Sequence, residues 1–277
     1  PSPEAQAAID ALRARATVTV HACDVADRVA LQAVLATIPE PLRGIIHAAG
    51  TFDDRTVREH AWSRFASVFA SKVDGAWHLH DLTRHQPLDL FLLMSSASTM
   101  LGGSGMANYI AANAALDALA HHRRAQGLPA TSINWGLWDG VGMAAAVGDD
   151  RGRQWRQQGL IPMDPQLALD GLDAALATDL PQVGIFALDW PRFLSSFPSL
   201  PPEFAAFADS LPAASTAAAA ASLRDQLDAL TSAEDRHALL LAHIRAEAGR
   251  VLGATRPVDP DRGFFELGMD SLTSMEL

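Results

Sequence analysis

Tyr109 and Asn113 stand four residues apart in an unbroken Ala-rich stretch from Met106 to Arg124, so a helix there carries the phenol and the amide on one face. Ser96 lies thirteen residues before the tyrosine at the end of an apolar run, with the flexible approach Gly102-Gly103-Ser104-Gly105 between them. Lys72 sits upstream on a separate helical stretch. Among 21 Lys plus Arg it is the only lysine, and Tyr109 is the only tyrosine. A bias towards Arg and Ala follows from a GC-rich genome, so each residue is either a leftover of that bias or kept for its chemistry. Phenol, hydroxyl, amide and ammonium groups hold and pass protons. A cation beside a phenol stabilises the phenolate and draws its reference pKa of ~10 towards neutrality. At about 4 Å and an effective dielectric of about 20 the gain is ~4 kcal/mol, an upper figure worth roughly three pKa units.

Such groups need a scaffold, and the first two thirds of the chain supply one. Val18 to Ala22, Gly44 to His47, Leu90 to Met94, Pro129 to Trp135 and Val183 to Leu188 read as strands. Asp24 to Ile38, Glu59 to Leu82 and Met106 to Arg124 read as helices between them. Strands too apolar to alternate, separated by helices, predict an α/β doubly wound parallel sheet covered on both faces. Ligands of such sheets bind outside the carboxyl ends of the strands, where Asp24-Val25, Ala48-Ala49-Gly50, Ser95-Ser96 and Gly136 follow the runs. The segment Phe193 to Pro212 is rich in Pro, Ser and Phe, and Ala213 to Ala221 is low-complexity, which predicts a linker. The expected organisation is a sheet domain at 1–192, a linker at 193–233 and a truncated all-α domain at 234–277.

The Tyr, Ser, Lys and Asn set resembles the active site of the short-chain dehydrogenase/reductase family. Most members carry the lysine four residues after the tyrosine; here Asn113 holds that place and Lys72 precedes. That exchange is similar to the ketoreductase domains of modular polyketide synthases. So are His47-Ala48-Ala49-Gly50, Ser71-Lys72-Val73-Asp74-Gly75-Ala76, Met94-Ser95-Ser96, Ala107-Asn108-Tyr109 and Asn134-Trp135-Gly136-Leu137-Trp138 followed by Gly142-Met143-Ala144. The likeness covers roughly residues 17–190. It implies reduction of a ketone by hydride from NADPH, with Tyr109 as proton donor, Lys72 as its cation, Ser96 holding the carbonyl oxygen and Asn113 orienting Lys72 or a water. Asp24 and Val25 would lie against the adenine, Ala48, Ala49 and Gly50 would admit the cofactor, and Gly136 would border the nicotinamide. As an alternative, Asp24 is a plain helix cap.

The family's Gly-rich phosphate loop and the basic residue for the extra phosphate have no counterpart before Val18. The sequence therefore reads as a Rossmann-like reductase entered about two strands late, inactive as an isolated fragment, with a raw sheet edge. The loop Phe52-Asp53-Asp54 resembles the Leu-Asp-Asp of ketoreductases that form D-configured alcohols, and Leu101 stands where the opposite class carries tryptophan. Otherwise Asp53 and Asp54 are solvated turn acids.

Phe264-Phe265-Glu266-Leu267-Gly268-Met269-Asp270-Ser271-Leu272 resembles the attachment site of an acyl carrier protein, with Ser271 carrying 4'-phosphopantetheine. A serine at a helix start is exposed, and the positive helix end favours a phosphodiester. The resemblance implies a carrier-bound β-ketoacyl substrate, other polyketide synthase domains and a phosphopantetheinyl transferase as partners. A tether of roughly 25 residues has an end-to-end distance of ~27 Å if flexible. The alternative is a non-catalytic reductase remnant that supports the carrier; a free-standing reductase is disfavoured by Ser271. A net charge of -11 argues against nucleic acid and anionic membrane, no window is apolar enough to span a bilayer, and a cytoplasmic protein is expected. One cysteine, Cys23, excludes an internal disulfide, and no metal site is expected, with His78, His80, His121 and His122 read as surface histidines.

Overall fold

The computed structural model describes residues 2–39, 41–142, 152, 155–197, 199–210, 223–252, 258–260, 262–264 and 266–267. Its centre is strand β2 (Leu90–Ser96), whose apolar run is explained by burial on both faces. Phe91 and Leu93 face a core of Leu31, Leu79, Leu116 and Leu119, while Leu92 packs on the other side with Ile133, Leu172 and Ala175. Each such side chain contributes about 1.5–3 kcal/mol, so the strand is fixed by what covers it. β1 (Gly44–His47), β2, β3 (Thr131–Trp135) and β5 (Gln182–Ile185) form one parallel sheet in that order, and β4 (Leu160–Ile161) pairs antiparallel with β6 (Ala187–Leu188) apart from it. Helices α2 (Arg28–Leu35), α4 (Gly75–Thr83) and α6 (Ala107–Ala125) supply the first face, and the helix Pro165–Leu176 the second.

Several expectations are corrected. Val18 to Ala22 forms no strand: β1 is the sheet edge among the described residues, Ile46 on it is 59% exposed, and an extended segment without a neighbouring ladder has nothing to hold it. The helix read from Asp24 begins at Arg28, because Asp27 is the N-cap and accepts from Val29 and Ala30 N–H at 3.0 Å each. Asp24 instead accepts from Ala26 N–H at 2.9 Å within the preceding turn, so it is not a helix cap. Val183 to Leu188 breaks at Phe186, with β5 in the main sheet and β6 in the small one.

The long helix read from Glu59 to Leu82 is segmented into a short turn Val57–Glu59, α3 (Trp62–Phe69), a π-helical turn Ala70–Asp74, and α4. His80 is not a surface histidine: it is 2% exposed and its Nδ1 accepts from Arg123 Nη1 at 3.0 Å. The segment read as linker starts inside a packed aromatic cluster, where Phe193, Leu194 and Phe204 are buried with Trp190 and Phe197 around them. The Ala213 to Ala221 tract lies outside the described residues. Beyond it stand helices Leu223–Ala229 and Ala233–Leu252, the second started by Ser232, whose hydroxyl accepts from Glu234 and Asp235 N–H. Ala248, Val258 and Leu267 then pack together, and Arg245 donates to the Val258 carbonyl at 2.7 Å.

Candidate active site

The π-helical turn is what aims Lys72. An extra residue in the helix swings the side chain inward at the junction of α3 and α4, leaving Lys72 3% exposed with its Nζ donating to the Met94 carbonyl of β2 at 3.0 Å. The turn is pinned from β1, where the buried His47 Nε2–H donates to the Lys72 carbonyl at 3.0 Å. Burial holds His47 below its usual value, in keeping with a neutral ring. Burial likewise lowers Lys72 to about 8, with the Asp117 carboxylate acting in the opposite direction.

Tyr109 enters from α6, in the register that its spacing to Asn113 predicts. The Lys72 ammonium lies over its ring at 5.3 Å from the centroid. Burial pushes the phenol above its ordinary value; the nearby Asn113 and Ser96 side chains pull the other way, and Asp54 adds to the rise. Ser96, at the end of β2, also accepts from the Ser98 hydroxyl at 2.9 Å and the Ser98 N–H at 3.2 Å. Asn113 is fully buried; its Nδ2 donates to the Tyr109 carbonyl at 2.8 Å, and its Oδ1 has no hydrogen-bond partner. The four residues are therefore brought together. What differs from the sequence reading is the direction of the tyrosine's shift: the ammonium is engaged by a carbonyl and sits over the ring face, so desolvation outweighs it.

The loop after β1 is fitted against the same helix. Phe52 meets the Tyr109 ring edge-on at 5.8 Å, Arg64 Nη1 donates to both Asp53 oxygens at 2.5 Å, and Asn108 Nδ2 donates to the Asp53 carbonyl at 3.0 Å. Asp53 and Asp54 are half-buried, which corrects the picture of solvated turn acids. Leu101 packs towards the Phe193 cluster. Gly105, at φ 73°, turns the chain into α6 and its carbonyl accepts Arg55 N–H at 2.9 Å.

The other cofactor-side residues divide. Ala48, Ala49 and Gly50 follow β1, and Gly136 follows β3, all at the carboxyl end of the sheet beside Ser96. Gly50 makes room for the lysine, since a Cβ there would come within 2.9 Å of Lys72 Cε, and at Gly136 one would meet Phe186 Cβ at 2.6 Å. Val25 packs on Gly75, and its carbonyl accepts from His78 Nδ1 at 3.2 Å. The small residues at the strand ends and the unpartnered buried Asn113 Oδ1 fit the nicotinamide end of a dinucleotide. Trp135, at the end of β3, packs with Leu92 and Ile133 and donates its indole N–H to Met94 Sδ at 2.9 Å. Ser271 and Met143 to Ala144 lie outside the described residues.

Asp117 was missed by sequence reasoning. It lies four residues beyond Asn113 and eight beyond Tyr109, so extending the same helical spacing by one turn finds it.

Comparison with known proteins identifies the family. The family model described as the KR domain matches residues 1–140, and the one described as the phosphopantetheine attachment site matches residues 242–277. The chain is 42% identical over 95% of its length to mycoketide-CoA synthase of Mycobacterium tuberculosis. It is 43% identical over 94% of its length to the spectinabilin polyketide synthase system protein NorB of Streptomyces orinoci. It spans 7% and 12% of those two relatives. Among solved structures, A-type ketoreductases from a modular polyketide synthase match with a TM-score of 0.67 and 39% identity, covering 71% of this chain and 42% of that one. A C2-type ketoreductase matches with a TM-score of 0.65 and 33% identity over 72% of this chain and 44% of that one. The backbone is thus alike across reductase classes.

Proposed function

Since the chain belongs to the KR-domain family of modular polyketide synthases and runs into a phosphopantetheine attachment site, we propose that it reduces a carrier-bound β-ketoacyl thioester to the β-hydroxyacyl thioester. The observation that carries this reading is the buried Lys72 ammonium over the ring of Tyr109, with Ser96 at the carboxyl end of the central strand β2. The cofactor is NADPH, held by Ala48 to Gly50 and Gly136 on the nicotinamide side and by Asp24 and Val25 at the adenine; when bound it supplies the hydride.

Ser96 fixes the ketone oxygen by a hydrogen bond, and Tyr109 donates its proton to that oxygen as negative charge builds there. A phenol raised by burial stays protonated until this moment. The phenolate then left is a stronger base than the Lys72 amine at about 8, so the proton moves downhill from the ammonium to the tyrosine. Asn113 holds the Tyr109 turn of the helix, and its free Oδ1 accepts from a water or group that returns a proton to Lys72. Phe52, against the tyrosine ring, limits how the acyl chain lies, and by the Phe52-Asp53-Asp54 resemblance the alcohol is D-configured.

Ser271 carries the 4'-phosphopantetheine arm, installed by a phosphopantetheinyl transferase, and the neighbouring polyketide synthase domains, in the cytoplasm, supply and receive the chain. Tethering raises the local substrate concentration into the millimolar range, so affinity for free substrate is low. The test is incubation of the full-length polypeptide with a β-ketoacyl thioester and NADPH or NADH, followed by chiral separation. NADPH-dependent formation of the D alcohol is expected. No reduction with either nucleotide refutes the activity, and an L product refutes the assignment of the loop.

A further inference from the structure

Behind the proposed centre lies a buried carboxylate to which no part of that mechanism assigns a task. Asp117 is 6% exposed on α6, one turn beyond Asn113, and both its oxygens are engaged from β3. Ser132 Oγ donates to Oδ1 at 2.6 Å and Asn134 Nδ2 donates to Oδ2 at 2.9 Å. Ser132 and Asn134 are themselves fully buried. Neither donor carries a positive charge, so the carboxylate is hydrogen-bonded without being neutralised by its contacts.

The same Asn134 amide reaches Ser95 Oγ at 3.1 Å, the Ser96 carbonyl at 3.3 Å and Thr99 Oγ1 at 2.8 Å, and its Oδ1 accepts from Gln182 at 3.0 Å. Ser95 Oγ in turn donates to the Asn113 carbonyl at 3.3 Å. One network therefore ties the carboxyl end of β2, where Ser96 stands, to the turn of α6 that bears Tyr109 and Asn113.

We propose that Asp117 is a positioning residue for the reductase centre: through Asn134 it fixes Ser96 relative to Tyr109, and its buried negative charge favours the Lys72 ammonium. This rests on the reductase reading for its consequence in turnover, but not for the electrostatic link. The groups facing Lys72 are few. Tyr109 faces it from α6, the Met94 carbonyl from β2 and the His47 ring from β1, and Asp54 acts on Tyr109 from the loop. The Met94 carbonyl and the Tyr109 ring face also favour the charged lysine, and among the ionisable groups Asp117 is the one that does so, against the burial that lowers it.

Because Lys72 is the sole lysine of the 277 residues, lysine labelled with 13C at Cε gives a single resonance whose titration reports this ammonium alone. In the wild-type chain the midpoint is expected at about 8. Asp117→Asn, which removes the charge at constant size, is expected to move it lower, and Asp117→Glu to leave it near the wild-type value. Asp117→Ser replaces the asparagine variant if the Asn amide, meeting that of Asn134, prevents folding. A neutral variant that keeps native circular dichroism and the wild-type midpoint overturns the proposal. In the full-length polypeptide the alkaline limb of the kcat profile should move down with the midpoint, by up to about tenfold in rate per unit above it, while KM stays within about twofold. A shifted lysine midpoint with no reduction in any variant would instead overturn only the reductase reading.

Discussion

The Lys72 ammonium lies 5.3 Å from the centre of the Tyr109 ring, over its face, while donating to the Met94 carbonyl. In the proposed mechanism the lysine therefore serves the tyrosine as a neighbouring reservoir of a proton rather than as a direct hydrogen-bond partner. Its position is bought at the expense of stability, which makes the arrangement open to measurement.

Replacing Lys72 by Met should stabilise the fold at pH 7. Holding an ammonium at about 8 instead of 10.5 costs about 3 kcal/mol, against roughly 1 kcal/mol for the lost Met94 bond, so a net gain of about 2 kcal/mol is expected. The pH dependence follows. Between about 8 and 10 the unfolded chain binds more protons at this site than the folded one, so wild-type stability rises with pH across that window. Above about 10 the raised Tyr109 opposes this rise, because the unfolded phenol loses its proton first, while Arg123, lowered by burial to about 10, adds to it. Urea unfolding at pH 7, 8, 9 and 10 should show the rise in the wild type and none in the variant; parallel curves would mean that Lys72 is not held below its free value.

Gly50→Ala separates the site from the fold. The added Cβ meets the far end of the lysine, Cε at 2.9 Å and Nζ at 3.3 Å, and a flexible chain yields where backbone would not. Melting should change little, while displacement of the ammonium should lower kcat by ~10- to 100-fold. Retained turnover would show that the lysine's location is immaterial.

Much of this was legible beforehand for definite reasons. β2 and α6 could be read because an apolar run flanked by helices and a four-residue spacing each have one structural meaning, and together they placed Ser96, Tyr109 and Asn113. The approach of Lys72 could be expected only from family likeness, since the π-helical turn that aims it has no periodic signature. Val18 to Ala22 failed as a strand because alternation shows a willingness to pair, whereas pairing needs a neighbour. Composition misled at Phe193, where Pro, Ser and Phe suggested a tether and the phenylalanines instead built a core. Asp117 went unnoticed because a lone acid on a helix most often faces water.

Ser271→Ala tests the second half of the chain independently. Incubation with coenzyme A and a phosphopantetheinyl transferase should add one phosphopantetheine to the wild type and none to the variant, read by intact-protein mass spectrometry. Reduction of a small soluble thioester should be unaffected, and a mass shift that persists in the variant would place the arm elsewhere.

The most direct measurement is single-turnover reduction of a preloaded β-ketoacyl chain by the full-length polypeptide and its Tyr109→Phe variant, followed by mass spectrometry. The wild type should gain two hydrogens on the acyl chain, and the variant, with unaltered melting, should do so at least ~100-fold more slowly. Equal rates would contradict the role of the phenol as proton donor.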